Sequence, residues 1–195
     1  GIRIQSFIKS VQIRRGIKDE EFIKKHMYEE LKEPSPAKFY RKDKKIRTIL
    51  VPNISVEVSK ILEGILEKEN FKVKRIPIGS TEQIKLGKKY VHNDICFPAQ
   101  IVIGEALAAL KSGKYDDKDV AIVMGKYVGD CRLTHYGALL RKALDDAGYD
   151  HIPILTNDDA DSHNMHPGFK LNLASSVKIA FALPMIDVLE ELLRK

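Results

Sequence analysis

Val120–Met124 reads VAIVM, five apolar residues in a row between the polar stretch Asp116–Asp119 and Gly125-Lys126. A strand with one wet face alternates apolar and polar residues, so an unbroken apolar run marks a strand covered on both faces. Helices must then lie above and below it, which restricts the chain to a layered α/β arrangement.

The rest of the sequence supplies the other layers. Arg47–Val51 (RTILV) is a second apolar run, stopped by Pro52-Asn53, and Ser55 is placed to cap a helix running to about Glu69. Phe71–Ile78 alternates apolar and basic residues like an edge strand, where Pro77 is tolerated. A short helix follows over 81–90 and a stronger one from Pro98 to about Leu110, with proline suited to the first turn. After VAIVM come a helix over Thr134–Ala147, stopped by Gly148, and a fourth strand over Ile152–Leu155. A polar loop spans 157–168, and the helical stretch Leu171–Arg194 holds Pro184 near its middle, which predicts a kink or two helices. The expected fold is α/β: a doubly wound, mostly parallel four-stranded sheet with flanking helices, strand order 2-1-3-4, plus an N-terminal helical arm.

That arm carries the charge. Residues 1–50 hold 14 Lys and Arg against 7 Asp and Glu, whereas the remaining residues hold 19 against 20. Ile17–Leu31 has helical spacing, Glu33-Pro34-Ser35-Pro36-Ala37 breaks it, and 38–46 reads as a basic linker. The division is thus a basic arm and linker over 1–45 and an α/β domain over 46–195. No aromatics in the arm are spaced for base stacking and no nucleic-acid motif follows, so a solvated helix is the reading, not a nucleic-acid binder. No apolar run approaches the roughly 20 residues that span a bilayer, and no signal-peptide pattern opens the chain. The chain starts at Gly1 instead of Met, as a piece of a longer protein would. The two cysteines make no disulfide scaffold, so the expected setting is a reduced cytoplasm.

The placing of those cysteines is informative. Cys96, in HNDICFPAQ (92–100), lies just before the helix that leads into the VAIVM strand; Cys131, in GDCRLTHYG (129–137), lies in the loop after it. Both fall at the carboxyl edge of the sheet, where open α/β sheets bind ligands. A helix N-terminus favours thiolate over thiol, and Arg132 acts in the same direction. The bland alternative is a small buried hydrophobe. Gly125–Asp130 is a glycine-containing loop able to approach a phosphate or a cluster, but it is neither a Walker loop nor a dinucleotide fingerprint. His92 and His135 flank the cysteines at spacings that fit a Cys2His2 zinc site only loosely. Asp158, Asp159 and Asp161, with Asn157, His163 and His166, read as a solvated polar loop before a cation site.

At these residues the sequence resembles a family. KKYVHNDICFPAQIVIGEALAALKSGKYDDKDVAIVMG, GDCRLTHYGALLRKALDDAGYDHIPIL and HPGFKLNL are similar to blocks in the large CoA-substrate-specific enzyme activase-related proteins, relatives of the activators and components of 2-hydroxyacyl-CoA dehydratases. The likeness covers roughly residues 46–175. Asn93, Asp94, Cys96 and Pro98 match the family's Asn-Asp-x-Cys-Tyr-Pro, with Phe97 for Tyr. Cys131, Arg132 and Tyr136 match its second motif, with Val128-Gly129-Asp130 in place of a glycine run and His135 in place of Asn.

The resemblance implies an iron–sulfur or electron-transfer domain of anaerobic metabolism. Cys96 and Cys131 would be ligands of a [4Fe-4S] cluster, and Asn93, Asp94, Gly129, Arg132 and Tyr136 would surround it. Two thiolates leave such a cluster short of ligands; another segment, a second chain across a homodimer, or His135 or Asp130 would complete it. No phosphate-binding loop is present, so ATP would be bound elsewhere, by an activator ATPase domain, with the dehydratase component as the other partner. The chain would then be part of a larger protein and not a complete enzyme. Two alternatives stand beside this: a non-catalytic domain that docks an ATPase or dehydratase partner, with an exposed apolar patch over 171–193, and a metal-free CoA or small-molecule binder in which Lys126 and Arg132 face phosphate.

Overall fold

The computed structural model describes residues 37–92, 94–125, 131–156 and 166–194. The expected helix over Ile17–Leu31 lies outside them. Four strands, β1 (Thr48–Val51), β2 (Lys72–Arg75), β3 (Val120–Val123) and β4 (Ile154–Leu155), form one sheet in the order β2-β1-β3-β4, the expected 2-1-3-4. Every pairing is parallel, with Thr48 opposite both Lys72 and Val120 and Ile122 opposite Ile154.

Side chains alternate across the sheet as strand geometry requires. Leu50, Val120 and Ile122 point to one face and meet α4 (Phe97–Lys111) and α5 (Tyr136–Asp146) through Ile103, Leu107, Leu140 and Leu144. Ile49, Val51, Ala121 and Val123 point to the other and meet Leu66 of α2 (Val56–Lys68) and Phe71. Covering both faces is what the unbroken VAIVM run demanded, and all four residues of β3 are buried.

Local chemistry sets the helix ends. The Ser55 hydroxyl accepts from the Val58 N–H at the start of α2. Ser80 and Gln83 form a reciprocal capping box at the start of α3 (Thr81–Tyr90). Gly148, after α5, adopts φ +83°, the left-handed stop that glycine takes without strain. α6 (Leu173–Leu193) runs as one helix through Pro184, and not as the two that were one of the expectations there; its Asn172 cap accepts from the Ser175 N–H. Pro184 lies on an exposed side, where water can take the place of the lost hydrogen bond.

Two expectations shift. The fourth strand shortens to Ile154–Leu155 because Pro153 has no N–H, although its carbonyl still accepts from Ile122. Residues 38–46 are not a free linker: the boundary between the chain's two units falls at Pro36, α1 spans Asp43–Ile46, and Phe39 is fully buried against Phe71. One phenylalanine outweighs the cations around it, which stay at the surface.

Candidate functional site

The strand order changes direction between β1 and β3, so the crevice at their carboxyl ends is the expected ligand position. Two loops reach it. The first is held by the Ile95 N–H donating to His92 O (3.0 Å) and by Gln100 Nε2 donating to Ile95 O (3.3 Å). It ends at Cys96, the cap residue of α4, whose carbonyl accepts from the Ala99 N–H. Pro98, in the first turn, needs no donor. The second loop resumes at Cys131, cap of a 3-10 turn (Arg132–His135) that continues directly into α5.

Two cross-links join these loops. The Cys96 Sγ lies 3.0 Å from the Tyr136 hydroxyl, and Arg132 Nη1 donates to the Asp94 carbonyl at 3.1 Å. Cys96 is half-buried, Cys131 is exposed, and neither is in a disulfide. The Tyr136 phenol is pushed far up from its ordinary value, first by burial, then by its hydrogen bond to Cys96, then by negative charge at Cys96 and Cys131. The Tyr136 hydroxyl thus stays protonated against the Cys96 sulfur, and Cys131 lines one cavity with the same tyrosine. A cavity of about 370 Å³ opens there, lined by Asn53, Pro98, Ile101, Cys131, Leu133 and Tyr136.

Of the expected site residues, Asp94, Cys96, Cys131, Arg132 and Tyr136 come together. Asn93 and Gly129 lie outside the described residues, as do Lys126, Asp130 and the Asp158–Asp161 stretch. His92 is exposed and bonds within its own loop through the Asp94 N–H, and His135 is exposed as well. Among the described residues no three His, Cys, Asp or Glu side chains are grouped to hold a metal ion. His166, counted with the polar loop, is a core histidine: it is 3% exposed, its Nδ1 accepts from the Phe39 N–H at 3.2 Å, and its ring N–H donates to the Ile154 carbonyl.

Asn53 and Glu105 were not foreseen. Asn53 follows β1 and lines the cavity; its side chain donates to the Ile76 carbonyl and its backbone N–H donates to Glu105 Oε2 at 3.1 Å. Glu105, in the middle of α4, is 1% exposed and also accepts from the Gly79 N–H. Burial raises its carboxyl above the usual range against the opposing effect of these donors. A lone carboxylate inside the mostly apolar FPAQIVIGEALAALK was the available signal.

A parallel α/β unit with a thiol-bearing crevice at its switch point is the class these observations define. Comparison with family models, with curated proteins and with solved structures found no match for the chain.

Proposed function

We propose that the crevice is a two-thiolate half-site of an iron–sulfur centre, and that the chain is an electron-transfer or cluster-binding domain of a protein like the 2-hydroxyacyl-CoA dehydratase activases, acting in the cytoplasm. The observation that carries this is the meeting of the two cysteine-bearing loops at Tyr136, whose hydroxyl lies against the Cys96 Sγ and which lines one cavity with Cys131. The donor set fits in part. Cys96 and Cys131 would hold two iron positions; the others need a further segment, a second chain or a side chain such as His135. The cluster would supply one-electron chemistry. Tyr136 would donate to the Cys96 sulfur, and a hydrogen bond to a ligand sulfur tunes potential. ATP hydrolysis is assigned to an activator ATPase domain or partner.

The test is anaerobic reconstitution of the full chain with iron and sulfide. The expected result is a visible charge-transfer band and bound iron, both lost in Cys96→Ser and in Cys131→Ser. Iron retained by both variants overturns the reading, and iron at background in the wild type overturns a cluster completed within this chain or its homodimer. A metal-free reading for CoA or another small molecule is favoured by the cavity beside Cys131, Tyr136 and Asn53. In that case CoA would raise the melting temperature of the metal-free chain and Arg132→Ala would abolish the rise.

A further inference from the structure

The loop after β1 is held in place around Asn53. Ser59 Oγ donates to the Pro52 carbonyl at 3.0 Å, and the Ile54 N–H donates to the same oxygen at 3.2 Å. The Asn53 N–H donates to Glu105 Oε2 in α4, and Glu105 also accepts from the Gly79 N–H in the loop after β2. A Cβ at Gly79 would lie 3.1 Å from Glu105 Oε1, so glycine lets that backbone come close. One buried carboxylate thus ties two loops of the carboxyl edge to one helix.

The same carboxylate fixes the Asn53 side chain. Its Nδ2 donates to the Ile76 carbonyl and to Glu105 Oε2. A backbone carbonyl can only accept, and so can an ionised carboxylate, so the amide cannot be turned over. Both of its N–H groups are engaged, and Oδ1 accepts from none of the described residues. Ile76 and Glu105 stand outside the cavity that Asn53 lines with Cys131 and Tyr136, so the oxygen is the end of the amide left to face it. The other polar groups there offer little to a ligand: the Tyr136 hydroxyl is engaged by Cys96, and a thiol is a weak partner. Ile54, Pro98, Ile101 and Leu133 make the rest of the wall apolar, which disfavours a bare charge.

We propose that Asn53 Oδ1 is the specificity-determining acceptor of this crevice. The ligand it selects is a neutral molecule with an apolar body and one hydrogen-bond donor, a hydroxyl or N–H, aimed at that oxygen; Glu105 is the positioning residue. The proposal rests on the small-molecule reading of the cavity and not on a bound cluster.

The test uses the metal-free full chain and two probes with one carbon skeleton: cyclohexanol, which can donate, and cyclohexanone, which can only accept. Dissociation constants come from chemical-shift titrations. The alcohol should bind about 2–12-fold tighter, the factor that one neutral hydrogen bond contributes. The preference should vanish in Asn53→Leu, which is similar in size and lacks the oxygen. Glu105→Gln is the second variant, should Asn53→Leu disturb folding. Its new N–H can donate to Asn53 Oδ1, so the Asn53 amide can turn and the preference should disappear or reverse. Circular dichroism checks the fold of both. Equal binding of the two probes by the wild type overturns the role of Asn53 and leaves the small-molecule reading standing. A preference kept by both variants also overturns that role. Binding of neither probe overturns the role and the small-molecule reading together.

Discussion

Tyr136 is where the two thiol loops meet, and the roles of its neighbours can be separated by what each would cost to remove. Tyr136→Phe keeps the ring and loses the hydroxyl bonded to Cys96. A loss of about 0.5–1.5 kcal/mol is expected, the usual net value of such a bond, seen as a lower urea midpoint at unchanged slope. Cys131 is exposed, so Cys131→Ala should stay within about 0.5 kcal/mol of the wild type; a much larger loss would make this thiol a packing residue. Asn53→Ala removes one donor from Glu105, the side-chain amide that also donates to the Ile76 carbonyl, and leaves the backbone N–H in place. Because burial already raises the Glu105 carboxyl, losing a donor raises it further. The cost, about 1–3 kcal/mol at neutral pH, should shrink as the pH falls, because the raised carboxyl takes up its proton above the ordinary 4.5. Urea midpoints at both pH values check this.

The position of α4, and with it Cys96, rests on its contact with α3. A Cβ on Gly104 would overlap the Gln83 carbonyl, and one on Gly87 would overlap the Gln100 carbonyl. Neither carbonyl can yield without moving its helix. Gly104→Ala should therefore cost at least about 1–3 kcal/mol, as overpacking does, and should also alter the rate of Cys96 alkylation. Gly64→Ala in α2 meets no atom within 4 Å and should stabilise by about 0.4–1 kcal/mol; thermal melts of the two variants give the contrast. The α3–α4 contact was not legible in the sequence, because glycine inside a helix reads as weakness until the facing helix is known. The sheet order was legible, because Pro52, Ser55, Gly148 and the VAIVM run are local signals. Cys96 and Cys131 followed from the same signals, since topology alone carries a strand end and a helix start to one edge. Asn53 and Glu105 did not: their bond spans 52 residues and leaves no local pattern.

At the scale of the whole molecule, His166 joins parts that are far apart in the chain. It accepts from Phe39, donates to Ile154 in β4, and stands beside the aromatic contacts of Phe71 with Phe39 and Phe169. Both ring nitrogens are used and the ring is buried, so the neutral form is the folded one, and burial lowers the imidazole from its ordinary 6.5. The sign of the pH dependence follows. A depressed base binds fewer protons folded than unfolded, so its contribution is complete above 6.5 and declines as the pH falls from there toward the folded value. Glu105 acts in the opposite sense: a raised carboxyl favours the folded state most at low pH, and that advantage is lost as the pH rises from 4.5. The acid limb of the wild-type stability curve is thus a difference of two terms, and each variant should expose the other. His166→Asn, which keeps an acceptor for the Phe39 N–H but does not titrate, should flatten the fall in stability below 6.5. Glu105→Gln should steepen it, since the opposing term is gone. Denaturant midpoints against pH for the wild type and both variants test the pair. Parallel curves for the wild type and His166→Asn would mean that the joint between Phe39 and β4 does not depend on the protonation of His166.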